Sequence, residues 1–191
     1  MINVAFKEWV AVCRAIGAGV QSVILRKGGI AEAGGAFRPE HDRFWLYPTH
    51  FHEQQQVGIK SAYHAHLAEA VRDRPAAGSV RFTHYVDVTA VHHLTALDTV
   101  LWLDGLHIWT AETVTQRFHY RRPGLYVLVV RAFALPQPAT VLEHPEYAGC
   151  KTWVELVASP AAAEAEAVPV IGETEWGEVL ARIEAVVGRV G

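Results

Sequence analysis

"LYVLVVRAFAL", residues 125–135, is the stretch on which the fold turns. It is a nearly continuous run of Val, Leu and aromatic residues interrupted by one charge, Arg131, and Pro123-Gly124 leads into it. The run is far below the roughly 20 residues that a membrane-spanning helix requires. Its β-branched content and its entry from a turn predict a strand covered on both faces, the centre of a sheet.

Outward from that centre, four more segments carry a strand pattern. "VRFTHYVDVTAV" (80–91) alternates with Thr, Tyr and Val enrichment, "RFWLYPT" (43–49) ends at a proline, "QSVILRK" (21–27) runs into Gly28-Gly29, and "KTWVELV" (151–157) is the last. Helical spacing is read at 4–16, where Val4, Trp9, Val12, Cys13 and Ile16 share a face, and at about 53–73, where Ile59, Tyr63 and Leu67 recur every four residues. Two short helices follow, "ALDTVLWL" (96–103), with Thr95 and Asp98 placed as a capping pair, and "AETVTQRFHYR" (111–121), capped by Thr110. Arg117 and Arg121, four apart, are expected to project together from the second. Helices and strands do not alternate regularly, which predicts an α+β fold: a mixed, mainly antiparallel sheet with packed helices, divided into lobes 1–74 and 79–158 around a cleft. "SPAAAEAEAVP" reads as an Ala/Glu-rich linker (159–172), and "TEWGEVLARIEAVVG" as a C-terminal amphipathic helix within 173–191.

Composition narrows the class. The 191 residues are 51% hydrophobic and 19% charged, as in an ordinary domain with a substantial core. A net charge of -3 provides no global positive field, so any site for an anion must be local. Two cysteines far apart, Cys13 and Cys150, build neither a disulfide framework nor a thiolate zinc site. The N-terminal stretch carries Lys7, Glu8 and Arg14 where an export signal needs an apolar core. A cytoplasmic protein with no membrane partner is expected.

The chemistry-bearing residues concentrate in "ILRKGGIAEAGGAFRPEHDRFWLYPTHFHEQQ" (24–55). Glycines after a strand can turn main-chain N–H groups toward an anion while neighbouring cations supply charge, so Arg26, Lys27, Gly28 and Gly29 are candidate phosphate-binding residues. The lysine precedes the glycines, which excludes the P-loop pattern. Thr49 joins them as the expected cap of the helix that follows, with that helix's free amides pointing at the same anion. Glu32, with His41 or His52, is a candidate acid–base set. The histidine spacing is not diagnostic of a metal; no metal ligand is assigned and the cofactor is left open. Arg38, Trp109, Thr110 and Arg117 are candidate ligand contacts, the tryptophan by stacking on a base and the arginines by charge.

At "RKGGIAE", "FWLYPTHFHEQ", "IWTAETVTQRF" and "EYAGCKTWVEL" the chain resembles the prokaryotic family known as domain of unknown function 1802, over about residues 5–158. The resemblance implies that Lys27, Gly28, Gly29, Glu32, Pro48, Thr49, His52, Trp109, Thr110 and Arg117 lie in the family's recognisable segments. It implies no activity. Restriction-type nuclease chemistry is disfavoured, because the chain contains no Glu-x-Lys or Asp-x-Lys triplet. The expected function is recognition of a phosphate-bearing partner, a nucleotide or a nucleic-acid segment. A hydrolase or transferase built on Glu32 and a histidine, and a structural or regulatory subunit without catalysis, are the alternatives.

Overall fold

The computed structural model describes residues 2–27, 40–50, 58–149 and 151–188. It is a mixed α+β protein in which seven strands form one mostly antiparallel, open sheet, with five helices among the described residues. In chain order the elements are β1 (Val4–Trp9), α1 (Val10–Gly17), β2 (Val23–Arg26), β3 (Arg43–Thr49), α2 (His64–Arg72), β4 (Ser79–Leu94), α3 (Leu97–Leu101), α4 (Ala111–His119), β5 (Leu125–Leu142), β6 (Trp153–Glu155), β7 (Val168–Pro169) and α5 (Glu173–Val187). The sheet order is β2-β5-β4-β3-β1-β6, with β7 also on β5. Only β1 and β3 run parallel; the other pairings are antiparallel.

The apolar run at 125–135 lies where its composition demands. β5 pairs with β2, β4 and β7, and Leu125, Val127, Leu128 and Val129 are fully buried. β5 continues through Pro136 and Pro138, which lack the N–H a regular ladder needs, and the register with β4 jumps there, from His84↔Ala134 to Phe82↔Ala139. A second irregularity places Thr89 as an extra residue between Val88↔Val130 and Ala90↔Val129. Bulges bend and twist the strands that carry them. The consequence here is a sheet curled until its edges face each other: Arg26, at the end of edge strand β2, donates to Thr152 Oγ1 beside edge strand β6 at 3.0 Å and lies 4.5 Å above the Phe6 ring on β1.

Several sequence expectations are corrected. Residues 4–9 are a strand, and the helix begins only at Val10. The apolar positions of the buried strand and of the helix fall by coincidence on one helical period, and no glycine, proline or capping side chain marks the junction at Trp9. Ile59 is not helical: it forms an isolated antiparallel bridge to Trp109, and α2 starts at His64 after a short 3-10 turn. Ala96, not Thr95, caps α3 and does so without a side-chain bond. Arg121 lies beyond α4 at φ 62°, so it does not share a helix face with Arg117. Strands from both halves of the chain join one sheet, since β3 pairs with β4. The Ala/Glu segment is tied down: β7 pairs with β5, and Glu164 accepts the Ile2 N–H at 2.9 Å. Beyond it, Trp176 and Ile183 of α5 are buried against the body of the protein. No helix among the described residues is long and apolar enough to cross a membrane.

Candidate functional site

The curl of the sheet opens a cleft of about 680 Å³ at the seam between its edges. β1 brings Lys7, Glu8 and Trp9, β2 brings Arg26, β3 brings Tyr47 and Thr49, and the segments flanking β4 and β6 bring Arg74 and Lys151.

Glu8 is the organising residue, and the sequence reading missed it because the segment looked like a polar helix face. Its carboxylate is 4% exposed. One oxygen accepts the Trp9 N–H at 2.8 Å and the other lies 3.7 Å from the Arg26 guanidinium. Arg117, on α4, is in the same electrostatic cluster: burial lowers its pKa, Glu8 pulls it back up, and Arg26 pushes it down again. Two guanidinium groups therefore share one buried carboxylate. Arg117 has no carboxylate in ion-pair range among the described residues; its guanidinium instead lies 3.8 Å over the ring of Trp109 and 5.2 Å from that of Trp9.

Around this floor, Lys7 donates to the main-chain carbonyls of Tyr147 and Gly149, and its ammonium lies 5.5 Å from the Tyr47 ring. The Tyr47 hydroxyl donates to Glu143 at 2.7 Å. Burial first, and then that bond to a carboxylate, hold the phenol well above its ordinary pKa. Cys13 is buried and its Sγ lies 3.8 Å from the Glu8 carbonyl; burial, and secondarily the Glu8 charge, push its thiol pKa up.

The residues singled out in the sequence are distributed unevenly. Arg26 and Thr49 both line the cleft. Thr49 closes β3 and donates to the Glu8 carbonyl at 2.9 Å; the helix it was expected to cap would begin outside the described residues. Lys27 is directed away, its ammonium donating to the carbonyls of Phe118 at 2.6 Å, Gly124 at 2.8 Å and Arg122. Those carbonyls, at the end of α4 and in the turn after it, occupy the three N–H donors that had been assigned to phosphate. Thr110 caps α4 as the sequence indicated, accepting the Thr113 N–H at 3.2 Å. Trp109 is corrected from a stacking platform to a core residue: it is 1% exposed, packed edge-on against Trp9 at 4.9 Å and covered by Arg117. His41 stacks edge-on to Trp153 at 5.2 Å and does not line the cleft. Gly28, Gly29, Glu32, Arg38 and His52 lie outside the described residues. No group of three or more metal-ligating side chains converges among the described residues.

Comparison with known proteins gives a family and distant structural likenesses. The family model "Domain of unknown function (DUF1802)" matches residues 5–182. No curated protein matches the chain. Among solved structures, the crystal structure of ASCH from Zymomonas mobilis is 12% identical with a TM-score of 0.47, covering 86% of this chain and 95% of that one. A point mutant of the same protein is 12% identical with a TM-score of 0.45, covering 95% of this chain and 98% of that one.

Proposed function

This chain belongs to the DUF1802 family, whose name carries no activity, and from its own residues we propose that the cleft binds a phosphate-bearing ligand, a nucleotide or a nucleic-acid segment. The observation that carries the reading is the charge of the lining, where four cations, Lys7, Arg26, Arg74 and Lys151, stand with two carboxylates, Glu8 and Glu143, while Arg117 on α4 draws on the same buried Glu8. An uncompensated charge held out of water is costly, and an arriving anion that completes the set recovers that cost. Cations therefore outnumber carboxylates in the lining of a cleft on a protein whose net charge is -3. Guanidinium groups suit a phosphate because their planar N–H forks match its oxygens. The volume of about 680 Å³ falls within the roughly 300–1,000 Å³ usual for small-molecule sites.

The test is titration of the full chain with adenosine monophosphate and with a short single-stranded oligonucleotide across a salt series. Binding should weaken with salt, and Arg74→Ala and Lys151→Ala should each reduce the log–log slope by about one. Arg117→Met, which keeps the stem over the two indoles, should reduce affinity at every salt concentration. Salt-insensitive binding, or no binding of either probe, overturns the reading.

A further inference from the structure

A second cavity of about 420 Å³ adjoins the cleft, and the two share Pro48, His50 and Pro75 as a common rim. Its charges are internally balanced. Arg14, on α1, is held by Asp73 at 2.6 Å and Glu69 at 3.4 Å, and Arg81 donates to the Asp73 carbonyl at 3.3 Å. Its floor is apolar, with Val10, Leu46, Ala70 and Pro138 among the lining residues. The rest of the lining includes His66, Thr83 and the His84 imidazole, the last lying so close to Gly17 that a Cβ there would sit 2.4 Å from Cε1 and 2.8 Å from both ring nitrogens. Nδ1 is 2.8 Å from Thr83 Oγ1. Burial pushes His84 down to about 4, so the ring is neutral at physiological pH.

One chamber thus attracts an anion and its neighbour offers a flat, uncharged, hydrogen-bonding wall over an apolar floor. Together they exceed the roughly 1,000 Å³ upper end of a drug-sized site. We propose that the second cavity is a base subsite, and that the ligand is two nucleosides joined through phosphate, with the bridge in the cationic cleft and the second base beyond the Pro48–Pro75 rim. The chemistry is shared by a step of a single strand and by a small pyrophosphate-bridged dinucleotide. The proposal rests on the phosphate reading above and adds to it a requirement for length.

Three probes test it by calorimetry on the full chain: adenosine monophosphate, a 5′-phosphorylated phosphodiester-linked diadenosine, and a pyrophosphate-bridged diadenosine. One or both linked probes should bind at least tenfold tighter than the monophosphate, and the tighter one identifies the source. Ala18→Trp, an exposed rim position of the second cavity, should remove that gain while leaving monophosphate binding within twofold. His84→Phe, which keeps a flat ring but removes its nitrogens, should reduce the gain without abolishing it, and serves if the tryptophan variant does not fold. Monophosphate binding with no gain from linkage, or a gain that survives both variants, overturns the subsite and leaves the cleft reading standing. Failure of all three probes to bind overturns both.

Discussion

Acid should destabilise this fold through His107, and the size of the effect follows from its surroundings. The side chain is 2% exposed and neither ring nitrogen has a hydrogen-bond partner among the described residues. Burial pushes the imidazole down to about 4; Lys60, bonded to the His107 carbonyl at 3.0 Å, and Arg117 push the same way, while Asp104 and the residue's own backbone oppose them. In the unfolded chain an imidazole takes its proton near pH 6.5. Between the two values the unfolded state holds more protons than the folded one, so stability falls as pH falls through that window. Linkage over those two values gives a loss of about 2 kcal/mol between pH 7 and pH 5, approaching about 3 kcal/mol at pH 4. His107→Leu removes both the titration and two buried polar atoms that have no partner. Urea unfolding followed by tryptophan fluorescence at pH 7, 6 and 5 should show the variant at least as stable as the parent at pH 7, and losing about 2 kcal/mol less on acidification. Parallel pH profiles for the two proteins would refute the argument, and a variant much weaker than the parent at pH 7 would mean that the ring nitrogens are hydrogen-bonded after all.

Three further perturbations separate stability from binding. Lys27→Met removes a charged donor from the Phe118, Arg122 and Gly124 carbonyls and should cost about 2–3 kcal/mol in urea unfolding, while the salt slope of ligand binding stays unchanged. A reduced slope would return Lys27 to the phosphate. Gly17→Ala drives a methyl into the His84 ring and should cost about 1–3 kcal/mol; Gly17→Ala combined with His84→Ala should cost less than the two single changes together, and strict additivity would show that the two residues do not meet. Thr110→Ala should lower stability by about 1 kcal/mol through loss of the α4 cap, whereas Thr110→Ser should hold it.

What was legible in the sequence was local. Strand β3 is legible at 43–49 from its aromatic run, although Pro48 does not end it but pairs with Glu8 inside it and Phe44 to Tyr47 are buried without alternation; the Thr110 cap is legible because its partner lies three residues away. The failures arise where a residue's neighbours are remote in the chain. Glu8, Arg26 and Arg117 come from a strand, another strand and a helix remote from one another in the chain, and only the folded sheet and α4 bring them into one electrostatic cluster. Arg26 was singled out for the glycines that follow it, yet its companions in the structure are Glu8, Phe6 and Thr152. Lys27 illustrates the converse: a lysine before two glycines looks like an anion ligand, but the end of α4 and its following turn present three carbonyls to it, which take up its three N–H donors. The same accounting accounts for Arg117. On a helix face it reads as a solvated cation, whereas over two indoles and near one shared carboxylate it is a positive charge with too little to balance it. A sequence records which residues are charged; whether a charge is already answered depends on folding, and in this fold Arg26 finds Glu8 and Thr152 where the two edges of the sheet approach each other.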